Sequence, residues 1–255
     1  MAQFRCSFAT DIGLKRQQNQ DNGAAYPELG LFVLADGMGG HQGGETASAL
    51  AAQIIPETIR KTLEQTFDPI CDAKQILTEA IQTANRAIFE RSQKELKLQG
   101  MGTTTTALLF SDHHLWIGHV GDSRCYFFRP HAIWQLTRDH SLVQEKLRAG
   151  LITREQLKTD RMKNVITRSV GFEPEVNVDL YEMDALPGDV FLLCSDGLSG
   201  QLDDSEILQA VQKELFETGN LAENFNKTTQ QLIELANQKG GEDNISIILI
   251  QVLPD

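Results

Sequence analysis

LFVLADGMGGHQGG, residues Leu31 to Gly44, sets five apolar residues ahead of a bare carboxylate, Asp36, and follows it with glycines and a histidine. A short apolar run bounded by turn residues reads as a buried strand. The stretch therefore predicts a strand that stops on Asp36 and a low glycine-rich loop after it. VFLLCSDGLSG, Val190 to Gly200, has the same form and stops on Asp196. WIGHVG leads into Asp122, and Asp243 immediately precedes the apolar run NISIILI. In an antiparallel sheet the end of one strand lies beside the start of the next. Strand ends at 36, 122 and 196 and a start at 243 can thus converge on one edge.

Carboxylates brought that close repel one another and raise each other's pKa. The usual remedy is a hard divalent cation with oxygen ligands. The glycine after Asp36 leaves its carbonyl free to approach a metal closely. Taken singly, each feature has a plainer reading. Asp-Gly is a common turn pair, His41 can be an exposed loop residue, and Arg16 can be a surface charge. Their combination carries the argument.

Outward from these runs, FRCSFATD and NGAAYPELGLFVLAD read as short strands around a loop from Gly13 to Asp21. Glu45 to Phe67 reads as a helix that Pro56 should kink. Asp72 to Leu98 is a second helix, with Leu77, Ala80, Ile81, Ala84 and Ile88 at helical spacing. TTTTALLF, HLWIGHVGD, RCYFFRP and AIWQL then suggest an antiparallel meander. Two short helices around Gly150, a strand at EVNVDLYEM, the run VFLLCS, helices over 203–217 and 221–239, and a closing apolar strand complete the chain. Paired helices between antiparallel runs argue against strict βαβ alternation. They suggest an α+β architecture of packed antiparallel sheets with helix pairs on the outer faces. No linker is evident, so 1–255 reads as one domain. The polar, irregular stretch 138–171 reads as a mobile flap.

The 255 residues are 41% hydrophobic and 23% charged, an ordinary globular composition. A formal charge of −12 without a basic stripe argues against nucleic acid and against adsorption to anionic membranes. Bound cations would reconcile that charge with an anionic substrate. No window reaches the ~18 apolar residues of a membrane span, and MAQFRCSFATD lacks the apolar core of a signal peptide. Cys6, Cys71, Cys125 and Cys194 have no paired spacing and read as free thiols in a reducing compartment. A cytoplasmic monomer is the expectation.

RQQNQD (16–21), ADGMGGHQGG (35–44), MGTTTTALL (101–109), VGDSRCY (120–126), CSDGLSG (194–200) and GGEDNISIILI (240–250) stand in the order found in metal-dependent protein phosphatases of type 2C. The resemblance spans about Phe8 to Val252 and is strongest to compact bacterial members. It implies a four-layer sandwich of two antiparallel sheets flanked by helix pairs. It also implies hydrolysis of phosphoserine and phosphothreonine in proteins. By similarity, Asp36 bridges two Mn²⁺ or Mg²⁺ ions, the Gly37 carbonyl is a further ligand, and Asp196 and Asp243 complete the set at one ion. Asp21 matches an acidic residue that supports metal-bound water. Arg16 matches the phosphate-binding arginine, whose planar fork suits that role. His41, in the same glycine-rich motif, is a candidate substrate contact.

Asp122 is expected in a tight turn between two paired strands. It could simply accept backbone N–H bonds there. By resemblance it is instead, with Asp196, a ligand of a weaker third ion. Two positions depart from animal members: Met38 stands where they carry a histidine, and Gln20 where they carry a glutamate. The alternatives are a catalytically silent phosphatase-like binding module and an esterase for a small phosphorylated metabolite.

Overall fold

The computed structural model describes residues 3–64, 69–111, 113–157, 159–216 and 221–254. In chain order the first elements are strands β1 (Gln3–Asp11), β2 (Asp21–Tyr26) and β3 (Leu31–Met38), then helices α1 (Gly40–Leu63) and α2 (Pro69–Lys94). Strands β4 (Gly102–Thr103), β5 (Thr105–Ser111), β6 (His114–Val120), β7 (Arg124–Arg129) and β8 (Ala132–Gln135) follow. Short helices α3 (Leu142–Arg148) and α4 (Arg154–Leu157) precede β9 (Asp179–Asp184) and β10 (Val190–Cys194). The chain closes with α5 (Asp196–Ser199), α6 (Asp204–Val211), α7 (Leu221–Gln238) and β11 (Ile245–Leu253).

One antiparallel sheet runs β1-β11-β10-β7-β8, and the other runs β2-β3-β5-β6-β9 with β4 paired to β3. Period-two alternation sends successive β3 side chains to opposite faces. Leu31, Val33 and Ala35 pack with Ala47, Ala51 and Ile55 of α1 and with Leu77 and Ile81 of α2. Phe32 and Leu34 point the other way, into a core between the sheets that also holds Phe110, Phe127, Phe191 and Ile248. Leu192 and Leu249 of the first sheet meet Ile207 of α6 and Leu232 of α7. Both faces of both central sheets are therefore buried, which is why their strands read as continuous apolar runs. The result is the expected four-layer sandwich of two antiparallel sheets between helix pairs.

Four expectations need correction. β3 does not stop at Asp36 but continues to Met38, because Gly37 and Met38 pair with β4. α1 begins at Gly40, not Glu45, so the glycines expected in a loop form its first turn. They are needed for close backbone approach, since a Cβ at Gly44 would fall 2.8 Å from the Gly37 carbonyl carbon. α1 also runs uninterrupted through Pro56. Its buried face on the sheet outweighs one missing N–H bond. Finally, the four runs from 105 to 135 do not form one meander. β5 and β6 pair in one sheet, while β7 and β8 pair in the other. The chain crosses between sheets at 121–123, so Asp122 lies in a crossover and not in a hairpin between paired strands.

Candidate metal centre

The register of β2 on β3 sets Asp21 directly opposite Asp36. Asp36 is held at its backbone: its N–H donates to Thr104 Oγ1 at 2.9 Å, and its carbonyl accepts from the Thr104 N–H and Thr103 Oγ1, each at 2.8 Å. Asp196 opens α5 where β10 ends. Asp243 sits just before β11, with Oδ1 accepting the Asn244 N–H at 2.8 Å. Asp122 follows Gly121, whose φ of 113° lies in the left-handed region that glycine tolerates.

Burial and mutual repulsion act together on these groups. Asp36 is pushed well above the ordinary carboxylate range, by desolvation first and then by Asp21, Asp196, Asp122 and Asp243. Desolvation foremost also raises Asp122, with Asp196 and Asp139 adding to it. Asp21 is pushed up to about 7 and Asp196 to about 6, again chiefly by burial. That Asp36 feels all four others places the carboxylates in one cluster. Two buried oxygens in it, Asp21 Oδ1 and Asp122 Oδ1, have no hydrogen-bond partner. A buried acceptor left unpaired costs about 1–3 kcal/mol, more when charged. Among the described residues no group of three or more His, Cys, Asp or Glu side chains is arranged to hold a metal ion by itself. The clustered carboxylates nevertheless form a set of oxygen donors only. Its chemistry fits a hard divalent cation, and the orphaned oxygens need such a partner.

The sequence-expected residues fall into place as follows. Asp21, Asp36, Asp122, Asp196 and Asp243 converge. Arg16 reaches the cluster from the loop after β1, and its Nη2 donates to Asp243 Oδ2 at 2.5 Å. Gly37 is buried beside Asp36, and a Cβ there would fall 2.1 Å from the Gly44 oxygen. His41 lies in the first turn of α1, and its side chain lies outside the described residues. Gln20 turns its amide to the Gly40 carbonyl at 2.9 Å. Cys125 and Cys194 are buried and Cys6 is half-buried, all as free thiols, while the Cys71 side chain is outside the described residues.

Several supporting residues were not anticipated. The Asn244 side chain accepts the Gln20 N–H at 2.8 Å and donates to the Ile12 and Gln18 carbonyls at 2.9 Å each. It thereby pins the loop that carries Arg16. Ser195 Oγ donates to Asp21 Oδ2 at 2.8 Å and accepts the Ser246 N–H at 2.9 Å. The only sequence signal for Asn244, Ser195 and Thr104 is a small polar residue next to each metal-site aspartate or strand end. A cleft of about 650 Å³ opens beside Asp122 and Asp196, with Lys163 and Asn164 on one wall and Gln201 and Leu202 on the other.

Comparison with known proteins identifies the family. The family model described as protein phosphatase 2C matches residues 15–236. The serine/threonine phosphatase stp of Listeria monocytogenes is 34% identical over 254 residues, covering 97% of this chain and 96% of that protein. The serine/threonine protein phosphatase PstP of Mycobacterium tuberculosis is 36% identical over 251 residues, covering 98% of this chain and 45% of that protein. A crystal structure of the PstP catalytic domain in complex with 2 manganese ions superposes with a TM-score of 0.85 at 35% identity, covering 100% of both chains. Six matched motifs, a shared sandwich and full-length likeness lead to one statement: the chain belongs to the protein phosphatase 2C family.

Proposed function

We propose that the chain removes phosphate from phosphoserine and phosphothreonine in proteins with the help of divalent cations, Mn²⁺ or Mg²⁺. The observation that carries this reading is the buried carboxylate cluster with its two partnerless oxygens. Asp36, Asp196, Asp243 and the Gly37 carbonyl would hold two tight ions, with Asp21 beside them. Cations held there would lower the pKa of water to near neutrality and so supply a nucleophile. The chain's own residues do the rest. Arg16 carries a planar fork suited to phosphoryl oxygens. Ser195 holds Asp21, and Thr104 holds the Asp36 backbone. Asp122, with one unpartnered buried oxygen, is read with Asp196 as the holder of a weaker third ion.

The cleft is not enclosed, which favours a protein segment over a small metabolite. Residues 138–171 form its other wall as a flap, anchored by the Ser141–Ile166 and Thr103–Val170 bridges. The core between the sheets draws Phe32 and Phe110 from one and Phe191 and Ile248 from the other, which supports one domain. The free thiols suit a reducing compartment and support the cytoplasmic reading. No described helix is long and apolar enough to cross a membrane. The test is turnover of p-nitrophenyl phosphate, a phosphothreonine peptide and a small phosphorylated metabolite with Mn²⁺ or EDTA. Activity should need the metal and favour the peptide over the metabolite. Asp36→Asn should abolish it while the fold persists, and near wild-type turnover in that variant would refute the assigned site.

A further inference from the structure

His140, only 5% exposed, lies between β8 and α3 with its ring against the β6–β7 crossover. The Gly121 N–H donates to His140 Nδ1 at 3.0 Å, and the His140 N–H donates to the Gly121 carbonyl at 2.8 Å. A backbone amide can only donate, so Nδ1 carries the lone pair and the neutral ring holds its proton on Nε2. That Nε2–H points to Asp179 Oδ2 of β9 at 3.1 Å. Asp179 Oδ1 accepts in turn from Arg168 Nη1 at 2.5 Å, and Arg168 Nη1 also reaches the Asn177 carbonyl at 3.2 Å. Arg168 Nη1 lies 3.2 Å from His140 Nε2 as well, but this tautomer leaves no lone pair there to accept. Desolvation foremost lowers the His140 pKa, in keeping with a neutral ring. His119 backs the ring at 4.9 Å between centroids.

These groups stand outside the carboxylate cluster, yet Gly121 directly precedes Asp122. Asp122 Oδ1 has no partner of its own, so its position is inherited from the turn. The His140 carbonyl also accepts the Thr167 N–H at 2.8 Å, which ties the same residue to the base of the flap. We propose that His140, oriented by Asp179 and Arg168, is a positioning residue that holds the Gly121–Asp122 turn, and with it the Asp122 carboxylate, in place beside the flap. The proposal rests on the reading of Asp122 as a holder of the third cation. The Gly121–Asp122 turn would then owe its precision to a histidine that touches neither substrate nor metal.

Three variants separate the contacts. His140→Ala removes both ring bonds. His140→Asn retains an acceptor near the Nδ1 position. Asp179→Asn removes the charge that orients the ring. In EDTA-treated protein, amide exchange at Gly121 should quicken about tenfold in His140→Ala, as for one lost hydrogen bond, and stay near wild type in His140→Asn. With p-nitrophenyl phosphate, the Mn²⁺ concentration for half-maximal rate should rise about tenfold in His140→Ala and Asp179→Asn, again as for one lost bond. KM for that substrate should stay within about twofold, because Arg16 and the tight-ion site are untouched. Adding His140→Ala to Asp122→Ala should cost little more than Asp122→Ala alone, since residues acting through one another are not additive.

Unchanged Gly121 exchange and unchanged Mn²⁺ dependence in His140→Ala would overturn the proposal. So would a fully additive double variant. Equal losses in the Ala and Asn variants that track equal drops in Tm would also overturn it, by showing a structural role alone. If Asp122→Ala leaves Mn²⁺ dependence intact while Gly121 exchange still responds to His140→Ala, the third-cation reading fails and the positioning of the turn stands.

Discussion

Replacing Asn244 with alanine should loosen the loop that brings Arg16 to the site. The side chain makes three hydrogen bonds, to the Gln20 N–H and the Ile12 and Gln18 carbonyls, at a position 5% exposed. A net contribution of about 1 kcal/mol per bond gives a loss of about 3 kcal/mol. For a domain of this size, a loss of 1 kcal/mol lowers Tm by about 2–4 °C, so the fall should be about 6–12 °C. The loop keeps a second anchor, the Leu14 N–H to the Gly241 carbonyl at 2.7 Å, so the fold should survive. Arg16 would then be less well placed, and KM for p-nitrophenyl phosphate should rise severalfold. Asn244→Asp should be at least as damaging, because it loses both donors and sets a charge beside Asp243. Calorimetric melts and steady-state rates in Mn²⁺ are the assays. A Tm within about 2 °C of wild type, a shift below one lost bond at this size, together with unchanged KM would refute the reasoning.

Arg16→Ala should raise KM by about tenfold or more, from the 1.5–3 kcal/mol of a hydrogen bond to a charged group; phosphopeptide kinetics check it. The pH dependence of metal-free protein should run against habit. Asp21 and Asp196 have folded pKa values of about 7 and about 6, above their unfolded values. The folded state therefore takes up protons first, and its Tm in EDTA should rise as pH falls from 7.5 to 6. Below pH 6.5 His119 opposes this trend without reversing it. Burial lowers it to about 4, so the unfolded chain protonates there first and offsets up to about 3 kcal/mol of the gain between pH 6.5 and 4, one proton set against two on the aspartates. With saturating Mn²⁺ the rise toward pH 6 should vanish, because protons then compete with the ions, and paired melts with and without EDTA test this. Substitutions in 138–171 away from His140 and Arg168, such as Leu151→Ala at a 74% exposed site, should change phosphopeptide rates far more than p-nitrophenyl phosphate rates. Equal losses on both substrates would count against the flap reading.

The apolar strands, the carboxylates at or near their ends and the layering they require can be read from the amino-acid sequence. Those signals are local, because alternation and strand length are properties of a few consecutive residues. Asp36, Asp196 and Asp243 were legible for that reason, and family likeness added roles for Arg16 and Asp21. Strand partnership is not local. Nothing in HLWIGHVGDSRCYFF says that β6 and β7 belong to different sheets; that follows from which partners, β9 for β6 and β10 for β7, hydrogen-bond along each strand's edge. The first turn of α1 was hidden because glycine usually ends helices, and only contact with Gly37 and Met101 makes it a requirement there. Asn244, Ser195 and His140 stayed silent for the same reason. Each is an ordinary polar residue until tertiary packing sets it, dry and within 3.1 Å, against backbone or carboxylate groups 19 to 232 positions away. Burial raises the cost of leaving such groups unpaired, and burial is decided by the whole fold.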